Sequence, residues 1–128
     1  MLQQIVDLAR EHQLMIFSDE IYDRLVMDGL QHVSIASMAP DLFCVTFSGL
    51  SKSHMIAGYR IGWMVLSGNK SIAKDYIEGI NMLTNMRICS NVPAQSIVQT
   101  PSAATRASTT TSCPAAVCTS SANTSTMR

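Results

Sequence analysis

The sequence has little charge and no long apolar segment. Charged residues make up 14% of its 128 residues and the formal net charge is zero, which argues against binding to nucleic acid or to an anionic membrane surface. No apolar run approaches the roughly 20 residues of a membrane-spanning helix. The first ten residues, MLQQIVDLAR, also lack the basic and apolar regions of a signal peptide. We therefore expect a cytoplasmic protein with no nucleic-acid or membrane partner.

Cysteines are few and widely separated. Cys44 and Cys89 stand singly among apolar residues, which favours small buried thiols. Cys113 and Cys118 have neither a second cysteine pair nor a nearby histidine, so their spacing is not that of a zinc site. The histidines show no ligand spacing either. We expect no bound metal.

Large apolar side chains are nearly absent from the last 28 residues. Residues 101–128 are rich in Ser, Thr and Ala and contain no Phe, Trp, Tyr, Leu, Ile, Lys, Asp or Glu, so they cannot bury a core. Nearly all the large apolar and charged residues lie in residues 1–100. The sequence therefore predicts one folded region, 1–100, followed by a low-complexity, disordered tail, 101–128.

The apolar pattern of residues 1–100 predicts alternating helices and strands. Helical spacing of apolar residues indicates a helix over residues 2–12. Short apolar runs at 14–17, 42–47 and 61–66 indicate strands, the first of the kind that is buried on both faces of a parallel sheet. A long amphipathic helix follows from Lys70, and Pro93 suits the first turn of another. This is an α/β layer pattern, and three strands would leave sheet edges open, as in part of a larger domain.

Two polar residues follow predicted strands. Asp19 ends the first strand and Lys52 follows the second, and open α/β sheets bind ligands at this edge. Apolar residues around Lys52, such as Met55 and Ile56, predict a setting that favours the neutral, imine-forming amine. The alternative for Lys52 is an ordinary solvated surface charge.

Neighbouring residues complete a recognisable set of chemical groups. Asp19 either caps the following turn or pairs with a pyridinium nitrogen, and Tyr22 is either a half-buried aromatic or a partner of a ring oxygen. Arg60, between two glycines, suits a phosphate, and Ser51 adds a hydroxyl. An amine, a carboxylate, a phenol and a guanidinium are what an enzyme needs to hold pyridoxal phosphate. The adjacent acidic residues, Glu20 and Asp23, are expected to be solvated or to cap turns.

Two motifs identify a family by resemblance. GLSKSHMIAGYRIG, residues 49–62, resembles the pyridoxal-phosphate attachment signature of class I aminotransferases, and FSDEIYD, residues 17–23, resembles their upstream Asp-x-x-Tyr element. The resemblance covers residues 1 to about 100. It implies part of the large domain of the fold-type-I transferase fold, with a mostly parallel sheet flanked by helices. It also implies roles for the residues in question: Lys52 as the Schiff-base lysine, Asp19 beside the pyridinium, Tyr22 at the 3-oxygen, and Ser51 and Arg60 at the phosphate.

The wider sequence is similar to the glutamate–pyruvate (alanine) aminotransferase group. That similarity implies transfer of an amino group between an amino acid, alanine or glutamate, and a 2-oxo acid, in a homodimer. Position 49 departs from the pattern, because it is Gly where many members have a phosphate-binding Ser. A phosphate-cupping loop, a ring-stacking aromatic and a carboxylate-binding C-terminal arginine have no counterpart in this sequence. An inactive fragment and a pyridoxal-phosphate-dependent lyase on the same fold therefore stay as alternatives.

Residues 101–128 have a second interpretation besides a disordered Ser/Thr linker. Read one base out of frame with suitable codons, Ser-Ala-Ala-Thr at 102–105 becomes Leu-Gly-Gly-Tyr. The continuation is then amphipathic and resembles the segment after NVPAQ in members of the family. We hypothesise that the sequence from about residue 101 is out of frame.

Overall fold

The computed structural model describes residues 1–86 and 91–100. Helices and strands alternate as far as residue 86, and a further helix follows. The helices are α1 (Leu2–Glu11), α2 (Ile35–Met38), α3 (Leu50–Ser53), α4 (Lys74–Met86) and α5 (Val92–Ser96). The strands are β1 (Ile16–Asp19), β2 (Phe43–Gly49) and β3 (Gly62–Gly68). Two 3₁₀ turns, Ala57–Tyr59 and Lys70–Ala73, precede β3 and α4.

The three strands form one mixed sheet in the order β1-β2-β3. β1 and β2 are parallel, with Asp19 aligned with Phe47, so their carboxyl ends meet at one edge of the sheet. β3 pairs antiparallel with β2, which aligns Gly49 with Gly62. The α/β fold class predicted from the sequence is confirmed, and the parallel pairing that it implies lies between β1 and β2.

Helices cover both faces of β2. On one face, α1 and α2 pack against β1 and β2 in a buried cluster composed of Val6, Ala9, Ile16, Ile35, Ala39, Leu42 and Cys44. On the other face, α4 and the turn before it pack against Phe43, Val45 and Leu66. Burial of this apolar surface is the main favourable contribution to the stability of the fold. β2 is therefore the centre of the core.

The prediction for the first strand was wrong in two respects. The strand is Ile16–Asp19, two residues later than the apolar run, and Leu14 and Met15 are exposed. Burial on both faces is absent as well, because Phe17 is 52% exposed. Phe17 contacts α4 through an edge-to-face arrangement with Tyr76, at 6.1 Å between ring centroids, and its exposure leaves one face of β1 partly open.

The remaining elements lie close to their predicted places. α1 agrees with the helix predicted over 2–12, and β2 and β3 each begin one residue after the predicted start and extend two residues beyond the predicted end. Pro93 lies in the first turn of α5, and Cys44 is buried as expected. Cys89 and residues 101–128 fall outside the described residues. Within the described ranges, no helix has the length and apolar character needed to cross a membrane.

Candidate functional site

The carboxyl ends of β1 and β2 bring together three of the residues predicted to hold the cofactor. Asp19 is the last residue of β1, and Tyr22 follows in the turn after it. Lys52 lies in α3, which begins directly after β2. Because β1 and β2 are parallel neighbours, these residues share one edge of the sheet. This is the edge at which open α/β sheets bind ligands.

Lys52 and Tyr22 are in contact across this edge. The Lys52 Nζ atom lies 5.6 Å from the centroid of the Tyr22 ring, within the range of a cation–π interaction. Tyr22 is 58% exposed, not half-buried as an ordinary packed aromatic would be. The amine and the phenol ring are therefore adjacent and accessible from solvent.

The apolar enclosure that the sequence predicts around Lys52 is not present. Lys52 is exposed, and Met55, which the pattern places beside it, is 86% exposed. Only Leu50 of this segment is directed into the core, because α3 is a single turn and presents one side to the sheet. The position of Lys52 is set by the end of β2 and by the buried Leu50.

Asp19 makes the contact that its turn-capping alternative requires. Its Oδ1 atom accepts a hydrogen bond from the backbone N–H of Ile21, at 3.2 Å. The side chain is otherwise at an exposed position at the sheet edge. A cap and a cofactor partner are compatible roles, since a carboxylate has two oxygens and several acceptor positions. The cofactor role of Asp19 stays a prediction.

Ser51 lies near the beginning of the connection between β2 and β3, and Arg60 lies near its end. Ser51 is half-buried in α3, next to Lys52. Arg60 follows the Ala57–Tyr59 turn with a left-handed backbone conformation, φ 55° and ψ 47°. Its Nη1 donates to the carbonyl oxygen of Ala57 at 2.9 Å. A backbone hydrogen bond links the two ends of this connection: the Leu50 N–H donates to the Ile61 carbonyl at 3.4 Å.

The structure shows what a side chain at position 49 would meet. A Cβ atom at this position would lie 2.6 Å from the backbone oxygen of Ile61 and 3.3 Å from Cδ1 of Ile21. The conflict is spatial, since the Gly49 backbone is fully extended and available to any residue. A side chain at position 49 would push β2 away from the segment that carries Arg60.

Glu20 is a feature of the site that the sequence did not reveal. Only 10% of its side chain is exposed. Its Oε1 atom accepts hydrogen bonds from Ser18 Oγ (3.0 Å), Ser34 Oγ (2.9 Å) and the Ile35 N–H (3.2 Å), and His32 Nε2 lies 3.0 Å from Oε2. Of the two alternatives that the sequence left for Glu20, the solvated one is wrong, and the capping one agrees with the hydrogen bond from the Ile35 N–H at the start of α2.

The charge of Glu20 is stabilised despite its burial. Burial raises the pKa of this carboxyl, but the hydrogen bonds from His32, Ser34, Ser18 and the Ile35 amide lower it by more in total. The net pKa lies below the usual range for glutamate. No local sequence pattern predicts this arrangement, because one donor, Ser18, precedes Glu20 and the others, at positions 32–35, follow it by twelve or more residues.

His54 follows directly after α3. Its Nδ1 atom lies 2.9 Å from Ser53 Oγ, and that hydroxyl in turn donates to the Gly49 carbonyl at 3.2 Å. These contacts tie the end of the α3 turn to the end of β2. They support the backbone around Lys52.

Comparison with known proteins places the chain in a family. Residues 1–116 match the sequence pattern of the family described as aminotransferase class I and II. The chain is 57% identical over 100 residues to glutamate-pyruvate aminotransferase AlaA of Escherichia coli, covering 78% of this chain and 25% of that protein. It is 55% identical over 98 residues to alanine aminotransferase of Mycobacterium tuberculosis, covering 77% of this chain and 23% of that protein. The chain thus spans about a quarter of the length of these relatives.

Solved structures agree with this relationship. An aminotransferase from Escherichia coli superposes with a TM-score of 0.74 at 57% identity, covering 77% of this chain and 24% of that chain. Alanine aminotransferase from Pyrococcus furiosus superposes with a TM-score of 0.68 at 34% identity, covering 73% and 24%. Class I aminotransferases use pyridoxal phosphate. On the match over residues 1–116 and these identities, the chain belongs to the class I and II aminotransferase family.

Proposed function

We propose that the chain carries the cofactor-holding part of an aminotransferase that moves an amino group between alanine or glutamate and a 2-oxo acid. The observation that supports this most is the contact of the Lys52 amine with the Tyr22 ring, 5.6 Å from its centroid. That contact lies at the sheet edge where Asp19 ends the neighbouring strand. An amine, a phenol and a carboxylate at one edge fit the functional groups of pyridoxal phosphate.

Each residue has a distinct task in this proposal. Lys52 would hold the cofactor covalently and, when released, carry the substrate α-proton. Asp19 would keep the pyridine nitrogen protonated, and Tyr22 would donate to the 3-oxygen. Ser51 would bind the phosphate together with Arg60, which uses one of its five N–H donors on Ala57. When bound, pyridoxal phosphate supplies an electron sink for the carbanion formed at the substrate α-carbon.

We propose further that the full-length enzyme to which this chain corresponds is a homodimer, as the resemblance implies, and that it is cytoplasmic, as composition and the first ten residues favour. We also retain the division of the chain into residues 1–100, part of the cofactor-binding domain, and an out-of-frame tail, 101–128. The matches to the two relatives span 98 and 100 residues, whereas the match to the family pattern continues to residue 116. Sequencing the coding DNA tests the tail: a one-base shift near codon 101 must open a family-like continuation, and its absence ends the hypothesis.

The first experiment measures cofactor attachment to the full chain. Pyridoxal phosphate added to the purified protein is expected to give a visible absorption band, and sodium borohydride is expected to fix the cofactor on the peptide that contains Lys52. Lys52→Ala is expected to abolish both signals. Lys74→Ala, which removes an exposed lysine from α4, is the matched control and should retain them. Fixation that persists in Lys52→Ala would overturn the assignment of this lysine.

The second experiment separates the reaction types. An aminotransferase forms more than one equivalent of pyruvate per enzyme from alanine only when 2-oxoglutarate is supplied as the acceptor. A lyase releases its products without an acceptor, and an inactive chain gives the absorption band without turnover. Turnover with 2-oxoglutarate that disappears in Lys52→Ala supports the proposed reaction, and repeated turnover without an acceptor contradicts it.

A further inference from the structure

The connection between β1 and α2, residues 20–34, is long and mostly exposed. Most of its apolar side chains contribute little burial: Met27 is 76% exposed, and Leu30 and Val33 are exposed as well. Ile21 alone among them is partly buried, beside Gly49. Two turns inside it are closed by backbone hydrogen bonds, from Leu25 to Tyr22 and from Leu30 to Met27. Apolar packing of Ile21 anchors only the beginning of this connection, and it does not explain the course of the rest as far as residue 34.

A single carboxylate joins the two ends of the connection. Glu20, at its beginning, accepts hydrogen bonds from Ser34 Oγ and the Ile35 N–H at its end, and His32 Nε2 lies beside its second oxygen. Hydrogen bonds to a charged acceptor are about twice as strong as those between neutral groups. The ends of the connection are thus held together by one ionised side chain that is largely removed from water.

Glu20 is also attached to the strand that leads to Lys52. Its backbone N–H donates to the Phe47 carbonyl of β2 at 2.9 Å, and its own carbonyl accepts from the Asp23 N–H at 3.0 Å. Tyr22 lies inside that turn. A fixed Glu20 therefore fixes the turn that places the Tyr22 ring over Lys52.

We infer that Glu20 is a positioning residue, whose carboxylate closes residues 20–34 onto the sheet edge and holds Tyr22 against Lys52. The functional meaning of this placement rests on the proposed function, because Tyr22 and Lys52 are the residues proposed to hold pyridoxal phosphate. It adds a residue that touches no cofactor and acts through Tyr22.

The test uses the full chain without pyridoxal phosphate, so that it reads the placement of Tyr22 directly. In the wild type, NMR is expected to show a nuclear Overhauser contact between the Tyr22 ring and the Lys52 side chain, together with slow exchange of the Ile35 amide. Glu20→Gln keeps the size of the side chain but removes its charge and one of its acceptor oxygens. We expect the Tyr22–Lys52 contact to be lost and the Ile35 amide to exchange faster.

Two further variants separate positioning from general stability. Val6→Ala removes fully buried apolar volume from the α1 side of the core, so it lowers stability but should keep the Tyr22–Lys52 contact. Ser34→Ala removes one of the donors to Glu20 and should weaken the contact by a smaller amount than Glu20→Gln. The backbone amides of β2 serve as the reporters of an intact fold in all three proteins.

Affinity for pyridoxal phosphate provides the second readout. The dissociation constant is expected to rise between about threefold and tenfold in Glu20→Gln, the loss of about one hydrogen bond from Tyr22. It should stay unchanged in Glu78→Gln, the same substitution at an exposed position of α4.

If the contact between Tyr22 and Lys52 persists in both Glu20→Gln and Ser34→Ala, the positioning role is wrong. If Lys52 does not bind pyridoxal phosphate at all, the proposed function fails, but the NMR result still decides the role of Glu20.

Discussion

Strand β2 and the β1–α2 connection, residues 20–34, are held in place by different physical means. In β2, Phe43 and Val45 are completely buried and face α4, while Cys44 faces α1 and α2. In the connection, most side chains are exposed, and the hydrogen bonds from Ser34 and Ile35 that join its end to its beginning converge on the Glu20 carboxylate. Lys52 is placed by the first region and Tyr22 by the second. The candidate site therefore depends on apolar burial for one of its partners and on polar contacts for the other.

This difference has a consequence for how the site can fail. Loss of apolar volume in β2 lowers the free energy of unfolding of the whole sheet, and the position of Lys52 is lost when the sheet unfolds. Loss of the polar contacts at Glu20 displaces Tyr22 while the sheet remains. A stability measurement and a local contact measurement should thus respond to different substitutions.

The largest effect is expected for Phe43→Ala in β2. Phe43 is fully buried and packs edge-to-face against Tyr76, with 5.9 Å between the ring centroids. Its removal should lower the free energy of unfolding by about 3–5 kcal/mol, a large part of the stability of a small domain. Urea unfolding followed by circular dichroism measures this change. Met27→Ala, in the exposed connection, should change the value by less than about 0.5 kcal/mol, and an equal loss in both variants would contradict the comparison.

A smaller effect is expected where β2 meets the site, at Gly49→Ser. The substitution restores the serine found in many family members, but its Cβ would lie 2.6 Å from the Ile61 oxygen. The backbone must shift, which should cost about 1–3 kcal/mol and should not improve affinity for pyridoxal phosphate. Gly79→Ser, in α4, meets no atom within 4 Å and should stabilise the helix by about 0.5 kcal/mol. Thermal unfolding and a binding titration test both variants, and tighter binding in a stable Gly49→Ser would refute this explanation of the glycine.

The smallest effect is expected from acid, and it should begin in the connection. Burial raises the pKa of Glu20, yet the hydrogen bonds from His32, Ser34, Ser18 and Ile35 bring it below the ordinary range. A carboxyl whose pKa is lowered on folding contributes stability that is fully present above its unfolded value, about 4.3, and is lost as the pH falls through the folded value. The wild type should therefore lose more stability than Glu20→Gln between about pH 6 and about pH 3. Thermal unfolding across this range measures the difference, and parallel curves for the two proteins would contradict the role of the carboxylate.

Local patterns predicted much of the fold. The apolar spacing around Val6 marked α1, the run at 42–47 marked β2, and Pro93 marked the start of α5. The first strand was misplaced because Leu14 and Met15 are apolar but exposed, so composition and burial disagree there. The open face at Phe17 could not be predicted, because it depends on where α4 lies relative to β1.

The candidate site was predicted in part. Asp19 and Lys52 were placed at the ends of strands from the order of residues alone, and the structure puts both at the same edge. The accessible position of Lys52 was missed, because its apolar neighbours were assumed to enclose it. Glu20 was missed because its partners His32 and Ser34 follow it by twelve and fourteen positions and no periodicity connects them.

The sequence by itself determined the types of element, the family and the residues that carry the proposed chemistry. These follow from residue identity and from spacing within a few positions, which local sterics and amphipathic periodicity translate directly into helices and strands. Only the tertiary structure decided that β3 runs antiparallel, that Gly49 faces the Ile61 oxygen and that Tyr22 lies over Lys52. It also decided that Glu20 is removed from water among four donors. These are contacts between residues distant in the chain, and they form only when the apolar burial of β2 fixes the backbone that presents them.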